Sequence, residues 1–260
     1  MSKLKVNDDT LAVDGKVVVI SGAAGEVGSV CAKRLKDLNA NLALFDLSEN
    51  VHSVANSLKA GGGKVLTRQG DMCNESEVRA FFSDVIKEFG KLDGIVNIAA
   101  IYKGLKNRDF TTIPLTEWEK VLRVNITGTW VMSKEAAPFM RKQKNGSIIN
   151  ISSTIVHFGA PGLLHYVASK AAVLGMTRGM AQEMGSDGIR VNSIAPGVLP
   201  TQSTMERVSE SWLQTVKGSA ALKKLASPED IVNTIIFLLS DASRSITGQT
   251  IVVDAGRIFL

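Results

Sequence analysis

Apolar residues in this chain follow two alternating patterns: short β-branched runs of five or six positions, and longer stretches in which hydrophobics recur every three or four residues. A run that is apolar at nearly every position suits a strand buried on both faces, and the three-to-four spacing puts one apolar face on a helix. The runs predict seven strands, at Lys16–Ser21, Asn41–Phe45, Lys64–Gln69, Gly94–Ile98, Ser147–Ile151, Arg190–Ala195 and Thr250–Val253. Helices are predicted between them over Gly28–Leu38, Ser48–Lys59, Ser76–Phe89, Thr116–Lys142, His165–Met184 and Pro228–Ser240. Asn74 with Glu77 three residues on reads as a capping box, and Ser227 as a cap ahead of a first-turn proline, Pro228. Strands alternating with helices predict an α/β fold, a doubly wound parallel sheet with helices on both faces. The polar stretch Thr201–Lys224 carries Met205, Trp212, Leu213 and Val216 at roughly helical spacing, and reads equally as a substrate lid or a surface helix.

Composition narrows the class. The 260 residues suit one domain spanning 1–260, with 1–14 as an N-terminal extension. With 45% hydrophobic and 21% charged residues and no low-complexity tract, the chain is a folded globular protein. Its net charge of +5 is dispersed, without a basic run interleaved with aromatics, so nucleic acid is not the expected partner. No apolar run reaches the roughly 18 residues of a membrane helix, and no leader pattern opens the chain, so no membrane partner and a cytoplasmic location are expected. Cys31 and Cys73 stand alone and read as small buried apolar residues, and the three histidines lack metal-ligand spacing; no metal is expected.

Three polar residues carry candidate chemistry. Tyr166 and Lys170 lie four apart, which on a helix puts a phenol and an ammonium on one face. A cation within a few ångströms favours the phenolate and brings the group towards working pH, and Ser153, thirteen positions upstream, can hydrogen-bond the oxygen that exchanges the proton. The alternative is an amphipathic helix with a half-buried tyrosine and a solvated lysine. Upstream, Ser21-Gly22-Ala23-Ala24-Gly25-Glu26-Val27-Gly28 links the first strand to the first helix. Such a turn lets the backbone approach a pyrophosphate at a helix N-terminus. Asp46, ending the second strand, can hydrogen-bond both ribose hydroxyls of NAD and repel the extra phosphate of NADP; the plainer reading is that it caps the helix near Ser48.

These residues are those by which the chain resembles the short-chain dehydrogenase/reductase family from about Gly15 to Ala255. The resemblance implies a single Rossmann-like domain. The cofactor turn T-G-x-x-x-G-x-G appears as S-G-A-A-G-E-V-G, with Glu26 in place of the middle glycine and Gly25 one position earlier; the carboxylate is expected to point to solvent. By resemblance Ser21, Gly22, Gly25, Val27, Gly28 and Asp46 hold NAD, joined by Asp71 and Met72 at the adenine and by Asn97 and Ala99 after the fourth strand. Pro196-Gly197-Val198-Leu199-Pro200-Thr201 matches P-G-x-x-x-T, in which Pro196, Gly197, Val198 and Thr201 hold the nicotinamide carboxamide. Asn125, Ser153, Tyr166 and Lys170 match the catalytic tetrad, Tyr166 and Lys170 also touching the cofactor. Ser152 is the rival serine, but the spacing favours Ser153.

The implied reaction is hydride transfer between NAD and a secondary alcohol or ketone, with Tyr166 as general acid/base. Asn125 is expected to anchor a water through which Lys170 exchanges protons. Ser153, Thr154, His157 and Tyr166 are the substrate-binding candidates, with Tyr102, Val156, Leu163, His165 and Thr201–Leu213 around them; no arginine clamp for an anionic group is evident, and His165 reads as a packing or surface residue. Two alternatives remain: an NADPH-dependent reductase of 3-oxoacyl thioesters, and a non-catalytic dinucleotide-sensing or scaffolding protein. The family's habit, the long helices and the apolar tail Ile258-Phe259-Leu260 point to a homotetramer.

Overall fold

The computed structural model describes residues 11–58 and 62–260; the first ten residues of the expected N-terminal extension, and Lys59 at the end of one expected helix, lie outside them. Seven parallel strands form one sheet in the order β3-β2-β1-β4-β5-β6-β7. They are β1 (Val17–Ser21), β2 (Asn41–Asp46), β3 (Val65–Gln69), β4 (Gly94–Asn97), β5 (Gly146–Ile151), β6 (Ile189–Pro196) and β7 (Thr250–Val253), within two residues of the expected bounds. The fold is the doubly wound α/β sheet expected from the pattern.

Strand β1 shows why its sequence is apolar throughout. Val18 and Ile20 face a core shared with helices α1 (Glu26–Asp37), α2 (Asn50–Ser57) and α10 (Pro228–Leu239). Val17 and Val19 face the opposite core, built with α3 (Glu75–Phe89), α5 (Thr129–Gln143) and α7 (Leu164–Met184). Alternate residues of a strand point to opposite faces, so a sheet covered on both sides needs apolar residues at every position. The strand order reverses between β1 and β4, and the carboxyl ends of the strands open there into the crevice in which such sheets bind ligands.

The helix expected as one piece over Thr116–Lys142 is broken. It runs as α4 (Leu115–Leu122), a wide π-type turn at Arg123–Gly128, and α5. Tertiary contacts explain the break: Asn125, 1% exposed within the wide turn, reaches the backbone of Ile101 and the Ser169 hydroxyl. Two short helices went unforeseen, α6 (Ile155–Phe158) and α8 (Gln202–Met205), and α9 (Glu210–Ser219) settles the outer part of Thr201–Lys224 as helix. Among the described residues no helix is long and apolar enough to cross a membrane. Cys31 is buried as expected, its thiol pushed up to about 12 by desolvation, whereas Cys73 is only half-buried.

Asn74 caps α3, accepting from the amides of Ser76 and Glu77, but the expected reciprocal box does not form there, because Glu77 accepts from the Asp71 amide and the Asn74 amide donates to the Asp71 carbonyl; Ser227 and Asp230 make a reciprocal box ahead of α10. Ser227→Ala should therefore cost about 1 kcal/mol, visible as a lower urea midpoint with an unchanged m value.

Candidate active site

The end of β1 is the tightest junction in the fold. Gly22 adopts φ +73°, and a Cβ there would lie 2.6 Å from the amide nitrogen of Ala99; a Cβ on Gly28 would lie 2.0 Å from the carbonyl oxygen of Gly22. Only glycines let strand, turn and helix close up in this way. Gly25 caps α1 without any side-chain acceptor for the first-turn amides, and the Ser21 hydroxyl is buried without a partner. Free amides at a helix N-terminus beside a close-packed glycine turn fit the diphosphate of a dinucleotide.

Asp46 holds two stretches of backbone. One carboxylate oxygen accepts from the Ala24 amide at 2.9 Å, bracing the turn, and the other from the Ser48 amide at 2.9 Å; the helix itself is capped at Glu49. Asp46-Leu47-Ser48-Glu49 contains no cation to receive a ribose phosphate. Glu26 does not point freely to solvent as expected. Both of its oxygens accept from the Gln202 amide, at 2.8 and 2.9 Å, tying α8 to the phosphate turn.

At the head of β5 the rival serines separate. Ser152 is 1% exposed and donates to the Lys170 carbonyl at 2.9 Å, whereas Ser153 lies half-buried, its oxygen accepting from the Ile155 amide at 3.2 Å. Lys170 is 3% exposed; its ammonium donates to the Ile151 carbonyl at 2.7 Å and lies 5.7 Å from the Tyr166 ring centroid. Asn125 completes the group from the wide turn: its oxygen accepts from the Ile101 amide at 2.7 Å, and its amide donates to Ser169 at 3.0 Å.

One electrostatic expectation is corrected. Desolvation comes first among the causes acting on Tyr166 and raises its phenol above the ordinary range, the neighbouring Tyr102 adding to it, while Ser153 and then Arg207 pull it back. Lys170 is not among the groups that lower it. Burial instead brings the ammonium itself down to about 8. Both groups are driven towards their neutral forms because each leaves water for a low-dielectric wall.

The arrangement has many relatives. A family model described as "Enoyl-(Acyl carrier protein) reductase" matches residues 22–257. A 3-oxoacyl-[acyl-carrier-protein] reductase of Thermotoga maritima is 34% identical over 251 residues, covering 95% of this chain and 100% of the relative. The chain belongs to the short-chain dehydrogenase/reductase family. A Staphylococcus aureus protein with the same description is 33% identical, over 93% of this chain and 97% of its own. Among solved structures, a 7α-hydroxysteroid dehydrogenase complexed with NADH and 7-oxo glycochenodeoxycholic acid superposes with a TM-score of 0.90 at 29% identity, covering 96% of this chain and 97% of that one. As a short-chain dehydrogenase/reductase, the protein is an oxidoreductase.

Several site residues expected from the resemblance have structural work. Met72 is 6% exposed and packs on Gly128 of the wide turn, so its side chain belongs to the core. Asn97, 3% exposed, donates to Ser133 and Asn150, and Asp71 accepts from the Cys73 amide at 2.8 Å. Ala99 supplies the close contact with Gly22. Pro196 ends β6, where Thr154, 3% exposed, donates both its amide and its hydroxyl to the Pro196 carbonyl and so anchors the strand end. Gly197 passes Asp254 with room for no Cβ, Val198 follows half-buried, and buried Thr201 caps α8. Val27 packs half-buried against the α1 core. His157 is exposed, Val156 half-buried, and Leu163 buried with Leu105 and Val121. His165 is 0% exposed and meets Glu117 at 3.1 Å, a packing residue as expected.

One residue beside the site was not foreseen. Arg207, just beyond α8, sits over the Tyr102 ring, and Tyr102 stacks on Tyr166; nothing in its sequence neighbourhood signals that contact. The glycine junction itself makes a direct prediction. Gly22→Ala should lower the unfolding free energy on the order of 1–3 kcal/mol, read as a drop in thermal midpoint.

Proposed function

We propose that this oxidoreductase uses NADH to reduce the ketone of a 3-oxoacyl thioester, and catalyses the reverse oxidation of the 3-hydroxyacyl product. The reaction class is supported by the convergence of Ser153, Tyr166 and Lys170 at one cleft beside the glycine turn. The thioester is supported by the descriptions of the full-length relatives, which favour it over the isolated alcohol or ketone that the sequence put first. For the dinucleotide the carrying observation is Asp46: a carboxylate, with no cation beside it, ends β2 where a ribose phosphate of NADPH would need one.

Bound NADH supplies the hydride. The chain supplies everything else. Ser153 donates a hydrogen bond to the ketone oxygen. Tyr166 gives its phenolic proton to that oxygen as the C–O bond becomes single, and takes it back in the oxidative direction. Lys170, held near 8, gains and loses a proton close to working pH and returns one to Tyr166. Asn125 keeps the Ile101 loop and Ser169 of α7 in register around this proton path.

A second reading, NAD-dependent oxidation of a free secondary alcohol, draws on the solved relative holding NADH and a 7-oxo steroid. Acetoacetyl-CoA should turn over faster than cyclic ketones in an NADH absorbance assay; the reverse order would favour this second reading. Fluorescence titration should show NADH binding more tightly than NADPH, and tighter NADPH would remove Asp46 from the argument. Tyr166→Phe should lower kcat by about 10²–10⁴-fold with NADH affinity nearly intact, and retention of most activity would overturn the acid/base role. Association is part of the proposal: exposed Phe110, Leu115 and Trp130, with Phe259 and Leu260 at the chain end, would be covered in a homotetramer. Sedimentation should give a mass of four chains; a monomer refutes this.

A further inference from the structure

The chain has two tyrosines, and the fold stacks them: the rings of Tyr102 and Tyr166 lie 5.1 Å apart, tilted by 51°. Arg207 packs on the Tyr102 ring of this pair, its guanidinium carbon 4.7 Å from the ring centroid. The side chain is pinned there. Its terminal nitrogens donate to the carbonyls of Leu105 at 2.6 Å and Tyr102 at 3.3 Å, and to the side chain of Asn107 at 2.7 Å. Swinging the arginine out would take the donor from the Leu105 carbonyl, whereas the Tyr102 carbonyl also accepts from the Leu105 amide.

We propose that Arg207 is a positioning residue for Tyr166: it holds Tyr102 against the reacting tyrosine and keeps a permanent positive charge over the Tyr102 ring. The inference rests on the acid/base reading of Tyr166 given above. Two features of the surroundings make the charge matter. Lys170 is half neutral at about pH 8 and spends its ammonium on the Ile151 carbonyl, so its charge lapses over the range in which a raised phenol must ionise. A guanidinium keeps its charge throughout that range. The remaining groups around Tyr166 do not replace it. Ser153 carries no charge, Tyr102 pushes the phenol upward, and His165, next in the chain, is turned to Glu117, whose carboxylate is shared with Arg108. Arg207 and Tyr102 accordingly act on the phenol together, the arginine lowering its ionisation point and the tyrosine raising it.

Because Tyr102 and Tyr166 are the chain's two tyrosines, Tyr102→Phe keeps the stacked ring and leaves Tyr166 as the sole phenol. Tyrosinate absorbance followed against pH then reports Tyr166 directly, without substrate, while circular dichroism confirms the fold at each pH. Adding Arg207→Met should raise the midpoint by roughly half to one unit, and Arg207→Lys should return most of that shift. In the otherwise native chain, the ascending, acid-side limb of kcat/KM for 3-hydroxybutyryl-CoA oxidation, where Tyr166 must lose its proton to act as base, should move upward in Arg207→Met by the same amount. An unmoved midpoint in Arg207→Met, or a shift that Arg207→Lys does not reverse, overturns the proposal. The titration is independent of the reaction, so a failure there is separate from activity surviving in Tyr166→Phe, which would sink the functional reading instead.

Discussion

The cleft depends on a contact between pieces of backbone. At the end of β1, Gly22 passes Ala99 on one side and Gly28 on the other, with no space for a Cβ at either glycine. That approach sets how close α1 comes to the sheet, and so where its first-turn amides point. It also fixes the far side, because the Asp46 carboxylate reaches the Ala24 amide only when the turn lies this tightly against β2. Ser153, Tyr166 and Lys170 stand on β5 and α7, outside the junction, yet their distance from a bound dinucleotide is set by it.

Around the reacting groups, the wall is organised by neutral donors and acceptors more than by ion pairs. Lys170 faces a carbonyl, Ser152 holds the carbonyl of Lys170, and Asn125 spans the Ile101 loop and Ser169. Such a wall lets charge appear during a proton transfer without an opposite charge permanently bound to it. Lone charges are costly in that setting, and burial accordingly presses both Tyr166 and Lys170 towards neutrality. Segment 201–224 is tied down on two sides of the cleft, by Glu26 at the phosphate turn and by Arg207 at the 102–107 loop.

The sheet was legible because its strands are buried on both faces, and a run such as Val17–Ser21 has no other stable placement. The candidate acid/base group was legible because Tyr166 and Lys170 share a helix face and Ser153 opens the segment leading to it. What could not be read came from contacts between distant segments. The wide turn at Arg123–Gly128 exists because Asn125 finds Ile101 and Ser169, neither of which marks the local sequence. Met72 matched a cofactor position by resemblance, yet its side chain fills the space over Gly128. Nothing around Thr154 in the sequence marks its bond to the Pro196 carbonyl at the end of β6. Glu26 and Arg207 each reach across roughly a hundred or more positions of chain, and the polar stretch containing Arg207 offers no pattern to foretell it.

The wide turn has a consequence for how this chain can change over time. Met132, Ala136 and Met140 are each 0% exposed and repeat every four residues along α5, so the phase of that helix is set by the residues before it. A one-residue change in length that the wide turn does not absorb would rotate everything after it by about 100°, turning that apolar row away from the sheet. Substitutions in this stretch are local events, but a change in its length propagates through a whole helix. The turn that lodges Asn125 therefore also acts as a ruler, and insertions or deletions are to be expected in solvent-facing connections before they are found there.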